Sequence, residues 1–205
     1  MTKRVLIIAA FALLAASAMA GTQNTNTNTV SPTLQITVNV QSAIRLTLAT
    51  GTSAAAHCTV TAAGGAPDYT MNFGTVDALG INSPSCGTVS ADPTSGAIYW
   101  SDYNLTPSFA NESASNNTIK AQVTTNFAAN SPASIVRDSA NSNTVPTQFS
   151  DFTAISTGSA DTIATNATNG IALTRFIGVK VAPTNGASVV TGSQNATVTF
   201  TLTVQ

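Results

Sequence analysis

Apolar and polar positions alternate strictly through the stretch NATVTFTLTVQ, where Val198, Phe200, Leu202 and Val204 are interleaved with Thr197, Thr199, Thr201 and Thr203. A period of two sends the apolar side chains to one face of a strand and the threonines to the other, which predicts a strand over 196–204 with one covered and one wet face. The same alternation runs from Leu34 to Leu48: the even positions Leu34, Ile36, Val38, Val40, Ile44, Leu46 and Leu48 are apolar, and Ser42 is the exception. One strand of that length would extend for about 50 Å, well beyond the usual five or six residues. Two strands, 34–40 and 44–48, hinged at Gln41, Ser42 and Ala43, are therefore expected.

Shorter runs predict further strands near 57–62, 69–73, 98–105, 119–127 and 171–182. They are punctuated by Gly64-Gly65, Ser83-Pro84, Asp92-Pro93, Asn116-Asn117, Asn130-Ser131-Pro132 and Asn185-Gly186. The region 138–168, rich in Ser, Asn, Thr and Asp, reads as long loops or as loops around one short strand at 145–152. No convincing amphipathic helix is present, and the 34 threonines suit strands better than helices because their β-branched side chains are restricted in a helix. The expected fold class is all-β, an immunoglobulin-like sandwich over 43–205.

The N-terminus has a different character. Lys3 and Arg4 precede the apolar run from Val5 to Ala16, and Ala18-Met19-Ala20 is a small-x-small cleavage pattern, so residues 1–20 read as a secretory signal peptide. The run is too short to span a bilayer with ease. Residues 21–33, GTQNTNTNTVSPT, cannot bury enough apolar area to order themselves and read as a flexible polar arm. The expected location is outside the cell, reached by secretion.

Charge and chemistry narrow the function by exclusion. Past the leader, the basic residues Arg45, Lys120, Arg137, Arg175 and Lys180 are scattered among more numerous acidic ones, which argues against nucleic acid or an anionic membrane as partner, and no further stretch is apolar enough for membrane insertion to be expected. Cys58 and Cys86 are an even pair in an exported chain and are expected to form a disulfide, worth on the order of 3 kcal/mol through loop closure. His57 is the lone histidine, and no nucleophile motif accompanies it, so no catalytic residue, metal or cofactor is expected. Tyr99, Trp100 and Tyr103 read either as an aromatic platform for a sugar or as a core cluster with the tryptophan against the disulfide.

These residues resemble a family. The chain is similar to the subunits of bacterial chaperone–usher pili and, in the phrase MNFGTVDALG (Met71 to Gly80), to their spore coat protein U-like, archaic branch. The C-terminal strand carries that family's chaperone-binding pattern, with apolar residues at alternate positions and Gly192 upstream, although Val204 stands where the pattern usually has tyrosine. Cys58 and Cys86 bracket the NFG phrase, and an alternating apolar segment precedes the first cysteine, where such subunits keep their polymerising arm. The resemblance implies a sandwich lacking its last strand, completed by a donor strand from a neighbour. Leu34, Ile36, Val38 and Val40, within 34–42, would be the donor residues. Gly192, Val198, Phe200, Leu202 and Val204 would serve the acceptor groove and, before assembly, the contact with a periplasmic chaperone. An outer-membrane usher would exchange chaperone for subunit, giving a homopolymeric surface fibre. The competing expectation is a non-polymeric secreted or surface-coat protein, able to bind a glycan, whose strand 34–40 folds back to complete its own sandwich.

Overall fold

The computed structural model describes residues 35–39, 42–54, 56–110, 116–184 and 190–204. The expectations for 1–33, and those for Leu34 and Val40, lie outside the described residues. The chain divides into Met1–Val40 and Gln41–Gln205; the architecture below is that of the second unit.

Its elements are β1 (Ala43–Thr50), β2 (Thr61–Ala62), β3 (Tyr69–Thr70), β4 (Thr88–Asp92), β5 (Gly96–Ala110), β6 (Asn117–Thr125), β7 (Ala133–Asp138), β8 (Phe152–Ala154), β9 (Asp161–Thr165), β10 (Leu173–Val181) and β11 (Thr197–Val204), with one 3-10 turn at Phe149–Asp151. All pairings are antiparallel. One sheet runs β1-β5-β10-β7-β8 with β4 also on β5, the second runs β11-β6-β9, and β2-β3 form a small separate ribbon. The fold is an all-β sandwich.

The fifteen-residue β5 organises the larger sheet. Its first part pairs with β4 on one side (Trp100 opposite Thr88), its last part with β1 (Phe109 opposite Ile44), and β10 follows its other side from Ala97 to Leu105. Its side chains are buried on both faces from Gly96 to Tyr103 and alternate only beyond. Tyr103 and Leu105 enter the core between the sheets with Ile119, Ala121, Val123 and Ile163. Ile98 and Trp100 enter a second cluster with Ala54, Val136 and Phe176, against which Phe149 and Phe152 also pack. The Trp100 ring meets those of Phe152 and Phe176 at 5.7 and 5.9 Å between centroids.

Burying both faces of β5 also buries polar groups, which find backbone partners except at the Asp102 Oδ1, which has none among the described residues. Asp102, fully buried, accepts the N–H groups of Ser53 at 2.6 Å and Ala54 at 3.0 Å through Oδ2. Ser101 Oγ accepts the N–H of Cys58 at 2.8 Å. Two asparagines substitute for missing strand partners. The Asn117 side chain both accepts from and donates to the backbone of Ala167, at 2.8 Å each way, and Asn169 does the same for Phe109 at 2.9 and 2.8 Å. Cys58 and Cys86 form the expected disulfide, with Cα atoms 4.8 Å apart.

Several strand expectations need correction. The stretches 57–62 and 69–73 contribute only the two-residue strands β2 and β3, which pair with each other instead of with either sheet. The short strand expected at 145–152 is instead β8, which begins at Phe152, and the same region also holds β9. β4 and β7 were not foreseen: β4 has one large apolar residue, Val89, and β7 packs on both sides and so lacks alternation. Asn117, read as a turn residue, is the buried first residue of β6.

Candidate functional site: an apolar groove between two strand edges

β1 and β11 are the edge strands of their respective sheets. Among the described residues, β1 pairs with β5 alone and β11 with β6 alone, and the two approach one another without pairing. On β11 the apolar side chains Val198, Phe200, Leu202 and Val204 are half-buried while Thr199, Thr201 and Thr203 are exposed, as the alternation requires. On β1, Leu46 and Leu48 are half-buried, with Thr47 between them. Val198, Phe200, Leu202, Leu46 and Leu48 all pack against the core, each leaving part of its surface uncovered.

What they leave uncovered is a groove with a volume of about 850 Å³. Leu46 and Leu48 line one side, and Val198, Phe200 and the approach from Gly192 to Ala196 line another; Tyr103, Ile135, Ile177 and Val179 belong to the larger sheet, and Met71, Phe73 and Val76 come from the stretch between β3 and β4. The Tyr103 ring packs on Phe200 at 5.6 Å between centroids. Burial pushes the Tyr103 phenol well above its ordinary range, so it stays neutral and the floor carries no charge there. These apolar side chains form the floor, and polar residues such as Asp68, Asn72, Gln194 and Asn195 also line the groove. Bounded by strand edges unpaired among the described residues, it can accept an extended polypeptide that brings main-chain hydrogen bonds to the edges and alternate apolar side chains to the floor.

The structure brings together most of the residues that the sequence assigns to the acceptor. Gly192, Val198 and Phe200 line the groove; Leu202 packs on the core just beyond it, and Val204 is half-buried at the strand's end. Sequence reasoning missed the contribution of Met71, Phe73 and Val76. Their signal was the alternation of Met71 with Phe73 inside a segment closed by a disulfide. Of the donor residues, Ile36 and Val38 are 78% and 73% exposed, and the described residues 35–39 form no strand.

The aromatic platform is not present. Tyr99, Trp100 and Tyr103 are 0%, 3% and 3% exposed, so none offers a face to a sugar. β5 is covered on both faces at this level, which buries odd and even positions alike; Trp100 packs on Phe152 and Phe176, and Tyr103 is part of the groove floor. Among the described residues, no group of three or more His, Cys, Asp or Glu side chains is placed to hold a metal ion. A scan of protein-family models and a search of curated proteins each return no match.

Proposed function

We propose that the chain is a structural subunit of an extracellular fibre, and that copies are joined when residues 34–40 of one enter the groove of the next. The observation that carries this reading is the apolar groove lying between the free edges of β1 and β11. The occupant's chemistry follows from the groove: an extended segment with apolar residues at every second position. Leu34, Ile36, Val38 and Val40 have that spacing, and Ile36 and Val38 are exposed. Burying each of four such side chains stabilises the joint by roughly 1.5–3 kcal/mol, and the main-chain pairing adds to it. The leader-like start of the chain supports an extracellular destination, and the resemblance to chaperone–usher subunits supplies the assembly partners, a periplasmic chaperone and an outer-membrane usher.

The test is the double variant Ile36→Asp and Val38→Asp, compared with the unaltered chain as material sheared from the cell surface and run unheated and boiled in SDS. Two aspartates would bring unpaired charges into an apolar channel. The unaltered chain is expected to give a ladder of multimers that collapses to monomer on boiling, and the variant to give monomer alone. A normal ladder from the variant refutes the donor assignment. Monomer from the unaltered chain in both lanes refutes polymerisation and leaves segment 34–40 to complete its own sandwich.

A further inference from the structure

Leu79 and Ile81 are 65% and 77% exposed, yet the loop that carries them is firmly held. The Asp77 carboxylate accepts the N–H groups of Leu79 at 2.7 Å and Ile81 at 3.3 Å through Oδ1, and that of Asn82 at 2.6 Å through Oδ2; the Tyr99 hydroxyl donates to it at 3.1 Å. Between the two apolar residues Gly80, at φ 69°, lies so close to the β4–β5 hairpin that an added Cβ would meet the Ala91 Cβ at 2.8 Å. Pressing Gly80 inward turns its two neighbours outward. Leu79 and Ile81 thus display two large apolar side chains on an ordered loop, available to a contact.

Two further exposed apolar residues lie at the other end of β5, one on each side of it. Ile44 and Ile171 are 54% and 57% exposed. Ile44 is opposite Phe109 near the end of β5, and Gly170, next to Ile171, donates its N–H to the Pro107 carbonyl at 2.8 Å. Gly80, by contrast, adjoins Ala97 at the beginning of β5. The two patches are thus separated by roughly 40 Å of strand.

The polarity of the fold offers a second copy of this chain as the partner. Segment 34–40 is joined to β1 at Ala43, the Ile44 end of the body, whereas the groove runs to the other end, where Phe73, Val76 and Val179 line it and pack on the Ala97–Tyr99 cluster. A segment that enters a neighbour's groove from that end brings its own Ile44 end up against the neighbour's Leu79 end. We infer that consecutive copies make a second contact beyond the inserted strand, with Leu79 and Ile81 of one against Ile44 and Ile171 of the next. This rests on the donor-strand reading above. The two surfaces differ, so the contact is heterologous and repeats without closing on itself, which suits a filament and not a ring.

The test uses the full chain carrying Ile81→Cys and Ile171→Cys together, with each single variant alongside. The described chain has no free cysteine, since Cys58 and Cys86 are joined. Fibres sheared from cells are treated with a short bis-maleimide and then boiled in SDS, which separates inserted-strand joints but not cross-links. The double variant is expected to keep a ladder of dimers and higher multimers after boiling, and each single variant to run as monomer. A ladder present before boiling but lost afterwards in the double variant overturns the second contact and leaves the donor-strand joint standing. Cross-linked dimer from either single variant also overturns it, because like patches would then be meeting. No ladder even before boiling overturns the donor-strand reading and this inference together.

Discussion

Asp92 shows how a single carboxylate sets a turn. It closes β4, and its Oδ1 accepts the Thr94 hydroxyl at 2.7 Å and the N–H groups of Thr94 and Ser95 at 2.9 and 2.7 Å. These bonds, led by that of the Thr94 hydroxyl, favour the ionised form and lower its pKa to about 2. A carboxylate depressed in the folded state stabilises the fold above its unfolded value of about 3.9, and that contribution is lost as pH falls through about 2. The Asp92 side-chain carboxyl carbon should therefore titrate by NMR with a midpoint at about 2; a midpoint at the free value of about 3.9 would show that the bonds are not made. Asp77 has the same sign. Burial alone would raise it, but the N–H groups of Asn82, Leu79 and Ile81 and the Tyr99 hydroxyl together hold it below the usual range. Trp100, the single tryptophan, should emit at short wavelength and ignore added glycans, given its 3% exposure. Red emission that shifts with a glycan would return the aromatic cluster to the surface.

Among the elements, β1 and β11 were legible from alternation, β5 and β10 from their apolar runs, and β4 and β7 from neither. β11 and β1 have clean alternation because each has a solvent side, and the sequence places both within a residue or two. β7, by contrast, carries Ile135 towards the groove and Val136 into the Trp100 cluster on the opposite face, so its apolar residues run together without a period. The acceptor side of the site was legible for the same reason as β11, whereas the share of Met71, Phe73 and Val76 was not, since it depends on where a disulfide-closed excursion settles. Both polar and apolar losses in the buried strands are costly. Asn117→Ala removes two hydrogen bonds from the backbone of Ala167 at a position 1% exposed, and leaving those groups unpaired should lower stability by about 1–3 kcal/mol in urea unfolding. Phe176→Ala, at 0% exposure, should cost about 3–5 kcal/mol through the cavity it leaves, read in the same experiment. A loss below 1 kcal/mol for Phe176→Ala would mean that the second cluster does not hold the larger sheet to the segment covering it.

At the scale of the body, the described strands β1 and β11 leave a groove between their edges, and the proposed joint follows from filling it. An extended peptide with the sequence of residues 34–40 should bind the body comprising residues 41–205 and raise its midpoint of thermal unfolding, since any ligand selective for the folded state does so by mass action. A peptide with aspartate in place of Ile36 and Val38 should not. Equal shifts from both peptides would locate the binding outside the apolar channel.

The eight-residue pairing of β1 with β5, from Ala43 opposite Ala110 to Thr50 opposite Tyr103, also has a mechanical meaning. If the next copy pulls on the segment that precedes Ala43, the force enters β1 along its own axis. Ladder hydrogen bonds lie across that axis, so they are loaded in shear and must yield together, instead of opening singly from one end as in a peeled hairpin. The first strand would then be a rigid tether, and a fibre of such subunits would resist tension to a threshold and yield abruptly past it.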